Sequence, residues 1–123
     1  MAKVHSLGAT ITHSMLDDQK ALMHVQPKDA NGNNINLDPA QPVPSYASDN
    51  TALGTVDASV DPTGLSAMIV GVKGQAGSFN VTATYMNADG SVATGIVNET
   101  TTLDPNELKV ADLAVTVDAA IAQ

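Results

Sequence analysis

Apolar and polar residues alternate along most of this chain. In residues 78–85, Phe79, Val81, Ala83 and Tyr85 share one phase, and Ser78, Asn80, Thr82 and Thr84 share the other. A period of two predicts a strand with one buried face in an antiparallel sheet. Residues 20–26 repeat it, with Ala21, Met23 and Val25 inward and His24 outward. Residues 113–117 do so again through Leu113, Val115 and Val117. Residues 67–72 are apolar on both faces and predict a central strand.

Turn residues punctuate these runs. Asn31-Gly32 and Asp89-Gly90 are strong short turn signals. Asp38-Pro39, Asp61-Pro62-Thr63-Gly64 and Asp104-Pro105-Asn106 mark further breaks. The resulting strand candidates are residues 8–13, 20–27, 43–47, 53–57, 65–73, 78–86, 91–98 and 110–118. Short strands at this spacing predict a sandwich or barrel. A helical turn capped by Ser14 competes poorly, because it runs straight into the Met23–Val25 alternation. One turn of helix fits residues 105–112.

Several spaced segments resemble the group 2 bacterial immunoglobulin-like family. Val25-Gln26-Pro27-Lys28-Asp29-Ala30-Asn31-Gly32 is similar to its early strand and turn. Tyr46-Ala47-Ser48-Asp49-Asn50 is similar to its aromatic corner, and Leu53-Gly54-Thr55-Val56-Asp57 to the strand that follows. Gly71-Val72-Lys73 and Gly77-Ser78-Phe79-Asn80-Val81-Thr82-Ala83 are similar to its later strand pair, and residues 113–117 to its closing strand. The likeness covers residues 20–118. It departs at Tyr46, where the family often has Trp, and at residues 91–109, longer than the usual final hairpin with an added strand at 92–97. The resemblance implies an all-β, immunoglobulin-like β-sandwich of about seven to eight antiparallel strands. The organisation it implies is a leader strand or arm over residues 1–16 and one domain over 17–123, with 91–109 an extended hairpin or insertion. Gly77, ahead of an alternating strand, suits a positive φ or a close approach. Tyr46 is expected to bury its ring and to place its hydroxyl on a backbone group.

Composition narrows the function. The 123 residues carry 13 acidic side chains against five lysines, no arginine, and a formal net charge of -8. Nucleic-acid and anionic-lipid partners favour clustered basic residues, so neither partner is expected. Aromatics are 2% of the chain, only Tyr46, Phe79 and Tyr85, which disfavours sugar or single-strand stacking platforms. Without cysteine there is no disulfide, zinc–thiolate site or cysteine nucleophile. No segment has signal-peptide or membrane-spanning character.

Candidate chemistry is sparse. His5, His13 and His24, with Asp17 and Asp18 nearby, have no spacing that demands a metal. Asp29-Ala30-Asn31-Gly32-Asn33 brings its Gly two positions too early for a calcium loop. The Gly-rich residues 71–77 join two β patterns and open no helix, so they are not a phosphate loop. Asn80-Val81-Thr82 and Asn98-Glu99-Thr100 match the glycosylation sequon, which acts only on a secreted chain. No nucleophile elbow or metalloprotease motif occurs. No catalytic, cofactor-binding or metal residue is expected, and no cofactor.

The family resembled occurs in bacterial surface adhesins and on bacteriophage particles. A chain that starts at Met1 with no leader, anchor or tandem copy fits the second setting. The expectation is a non-enzymatic virion structural protein made in the host cytoplasm, a capsid decoration protein or a small tail accessory. Its partner would be the major capsid or tail protein, with homo-oligomers possible. The alternative is a binding or stalk module of a surface adhesin. Residues 1–16 and 91–109 are the expected contacts with neighbouring subunits, by strand addition, unless they only complete the sheets.

Overall fold

The computed structural model describes residues 3–11 and 14–105. Eight strands follow in order: β1 (Ser6–Ile11), β2 (Met15–Leu16), β3 (Lys20–Lys28), β4 (Ser45–Ser48), β5 (Gly54–Asp57), β6 (Ser66–Gly71), β7 (Gly77–Met86) and β8 (Val92–Thr102). One 3₁₀ turn, Ala58–Val60, follows β5. It is opened by Asp57, whose carboxylate accepts from Ser59 N–H.

Two four-stranded sheets face each other, ordered β1-β3-β6-β5 and β2-β8-β7-β4. This is the order of an immunoglobulin-like sandwich, with A, B, E and D in one sheet and G, F and C in the other. The protein is therefore all-β, as its alternation predicts. One pairing departs from the expected antiparallel pattern: β2 runs parallel to β8, through Met15–Thr101 and Leu16–Thr102. The first strand of the fold is split between the sheets. β1 pairs with β3, and β2 lies at the edge of the opposite sheet. The parallel pair is a consequence of that switch.

Other boundaries shift for local reasons. The strand expected from residue 43 starts at Ser45, after Pro42 and Pro44, which have no N–H to give a ladder. The strand expected to be an addition, over residues 92–97, is instead β8. It reaches Thr102 and is the G strand, paired with β7 over its whole length from Gly77–Thr101 to Met86–Val92. Residues 113–117 and the helical turn expected beyond Pro105 lie outside the described residues. The segment after Ser14 is no helix: it forms β2, a turn and the start of β3, as its run into the Met23–Val25 alternation predicts.

The core follows the predicted phases of β3 and β7. Ala21, Met23 and Val25 of β3 are buried with Ala67 and Ile69 of β6, against Phe79, Val81, Ala83 and Tyr85 of β7. Ala93 and Val97 of β8 complete that layer. β6 is central, between β3 and β5, as its two apolar faces predict.

Glycine is required where the sheets crowd. Gly95 of β8 lies against the backbone carbonyl of Leu7, so any Cβ there would collide with β1. Gly77 has φ 153, a conformation that disfavours any side chain, and a Cβ there would press on the tip of Leu53 at 3.0 Å. The leader is part of the sandwich: β1 is paired along its length, and Val4 and Leu7 are buried.

Candidate interaction surface

The residues that invited a chemical reading are placed apart. The backbone of His5 is tied to Lys28 O, and its side chain is exposed. His24 points outward, as expected, with Nδ1 2.7 Å from Ser66 Oγ. His13 lies outside the described residues. Asp17 is fully buried and serves the fold. Its Oδ2 accepts from Gly74 N at 2.6 Å and its Oδ1 from Asp104 N at 2.9 Å. Those bonds tie the end of β2 to the β6–β7 loop and to the segment after β8. Among the described residues no three His, Asp or Glu side chains converge as metal ligands.

The loop at Asp29 is a turn. Asp29 Oδ1 accepts from Asn31 N and Asn33 N at 2.9 Å, and Gly32 N–H returns to Asp29 O. The same device recurs in turns along the chain. Asp57, Asp61 and Asp89 each accept from the backbone N–H and the hydroxyl two residues on. Those bonds hold Asp57 and Asp61 below the usual carboxylate range. For Asp89, Ser91 and then Lys3, 3.3 Å away, lower the pKa to about 2. Negative charge is thus concentrated in the turns at the ends of the sandwich.

The two outer faces differ. On the face of β1, β3, β6 and β5, the outward phase carries Lys20, His24, Lys28 and Asp57. On the opposite face the outward phase of β7 and β8 carries no charge, and the exposed Asp49, just beyond β4, stands at its edge with Oδ1 accepting from Asn80 N at 2.9 Å. Between Gly77 and Thr102 the only ionisable carboxylates are Asp89, in the turn, and Glu99. Glu99 points inward, 3% exposed, with Oε1 accepting from Thr100 N at 2.8 Å.

The neutral face is ordered by cross-strand pairs. Met86 opposes Val92, Thr84 opposes Thr94, and Thr82 opposes Ile96. Asn98 donates to Asn80 Oδ1 at 3.0 Å, and the Ser78 and Thr100 hydroxyls meet at 2.8 Å. Both sequon asparagines therefore occupy this face. β4 extends it, with Ala47 beside Thr82. Met86, Val92 and Ile96 are 56%, 51% and 58% exposed. Met86 and Val92 stand side by side and Ile96 lies beyond the Thr84–Thr94 pair; adjacent large apolar side chains in solvent mark interaction sites more often than scattered ones do.

Tyr46 behaves as expected. Its ring packs at the edge of the core and its hydroxyl donates to Gly64 O at 2.7 Å. Burial, with the Asp61 charge second, pushes its pKa up to about 12. No helix among the described residues is long and apolar enough to cross a membrane. No protein-family model matches the sequence, and no curated protein is significantly similar to it.

Proposed function

We propose that this protein is a non-enzymatic, protein-binding module of a bacteriophage particle, a capsid decoration protein or small tail accessory present in many copies. The observation that carries the binding role is the uncharged outward phase of β7 and β8 on a chain of net charge -8. A face with no ions docks on another protein surface without the cost of desolvating charge. The virion setting rests on the resemblance of residues 20–118 to the group 2 bacterial immunoglobulin-like family, which occurs on phage particles. Fold alone does not give function.

The test is mass spectrometry with copy-number measurement on purified virus particles and, separately, on the cell envelope of the source culture. The expected result is the intact chain in particles at a fixed ratio to the capsid protein. Peptides found only in the envelope, within a longer polypeptide, would transfer the protein to the adhesin class.

A further inference from the structure

We infer that the uncharged outward face of β7 and β8, with β4 beside it, is a self-association surface, and that its occupant is a second copy of this chain. The inference deepens the binding role read for that face by naming its partner as a second copy, and it does not rest on the virion setting.

Charge selects the occupant. At -8, two copies repel each other wherever their acidic turns meet. The outward phase of β7 and β8 is the broad described surface on which one copy can approach another with no like charges opposed. A basic partner would be drawn to the turns, not to this face. The matching surface for a neutral, hydroxyl-rich and partly apolar face is one of the same kind, and the face itself supplies it through a two-fold axis.

The relief of the face suits that pairing. Ala47, Thr82 and Ile96 form one row across three strands. Ile96 stands out as a knob, 58% exposed, beside the low shelf of Ala47 and Thr82. In a two-fold pair that shelf receives Ile96 of the partner subunit. Size sets the strength. Ten paired residues at ~3.4 Å each on β7 and β8, ~4.8 Å apart, with four more on β4, give a footprint of at most roughly 34 by 14 Å. A standard stable interface buries about 800 Å² per partner. The footprint falls short of that, so the dimer is weak and depends on concentration.

Analytical ultracentrifugation of the full chain from ~1 μM to ~1 mM tests this. The expected result is a monomer–dimer equilibrium that strengthens when salt is raised, because screening removes repulsion between the acidic turns. Ile96→Asp and Thr94→Glu each put charge on the face and should weaken association at least ~10-fold, with circular dichroism and melting temperature confirming that they fold. Thr10→Asp, exposed on the other sheet, should leave the dimer intact. A monomer throughout, a dimer indifferent to both face variants, or a dimer dissolved by salt would each overturn the inference. None of these outcomes bears on particle copy number, so the two readings fail separately.

Discussion

Asn87 and Val4 exchange two hydrogen bonds across the sandwich: Val4 N–H donates to Asn87 Oδ1 at 2.9 Å, and Asn87 Nδ2 donates to Val4 O at 2.8 Å. Both residues are buried. One side-chain amide thus satisfies both main-chain groups of Val4 and fastens the leader to the β7–β8 turn. Asn87 also reaches Ser91 Oγ at 3.2 Å, which holds the amide in the turn.

Asn87→Ala should therefore leave two buried backbone groups unsatisfied and cost roughly 2–3 kcal/mol. Urea unfolding measures the loss. Hydrogen exchange should show faster exchange at Val4 and along β1 before the rest of the sandwich opens.

Gly95→Val tests the close approach of β1 to β8. The new side chain would meet the Leu7 carbonyl, and the strand would have to move. A loss of about 2 kcal/mol or more is expected in thermal melts. Tolerance of valine would mean that β1 does not lie where it is described.

Acid stability should depend on the turn aspartates. The folded pKa of Asp89, about 2, lies below its unfolded value near 3.9. A depressed carboxylate contributes stability above the unfolded value and loses it as pH falls towards the folded one. Asp57 and Asp61 are shifted in the same direction. Wild type should lose stability between about pH 4 and pH 2, and Asp89→Asn should flatten that slope. Chemical denaturation at stepped pH reads both.

Tyr46 makes the opposite prediction at high pH. Its folded pKa of about 12 lies above the ordinary tyrosine value of 10.0. A raised pKa means stability that is complete below the unfolded value and is lost as pH rises through the window from about 10 to 12. Tyr46→Phe removes the ionisation and the bond to Gly64 O. The variant should be less stable at neutral pH and lose less between pH 10 and 12. Absorbance at 295 nm should show a tyrosine titrating near 12 in wild type that is missing from the variant.

Much of this fold was legible because β3 and β7 obey one period each, and because the unbroken apolar run of residues 67–72 marks β6 as a central strand. The phases of β3 and β7 put Met23 and Val81 inside, as the alternation predicts. The split first strand was not legible. β2 has only two residues, too few for a period, and its neighbour Asp17 is a buried carboxylate in a position that reads as surface. β8 misled for another reason. Its large apolar residues Val92 and Ile96 face solvent, while Ala93 and Gly95 face inward because β1 crosses above them. Hydrophobicity alone therefore gives β8 no clear phase, and the neutral face stays hidden until the strand is paired. A signal was nevertheless there: residues 77–102 hold only two charged side chains in a strongly acidic chain, and Glu99 lies in phase with Val97.

Cryo-electron microscopy of purified particles from the source culture tests the central claim most directly. The account predicts a small lobe with two facing four-stranded sheets, repeated at fixed positions of the capsid or tail lattice, into which this sandwich fits. Particles with every lobe assigned to other proteins, and the chain recovered only from envelope material, would contradict it.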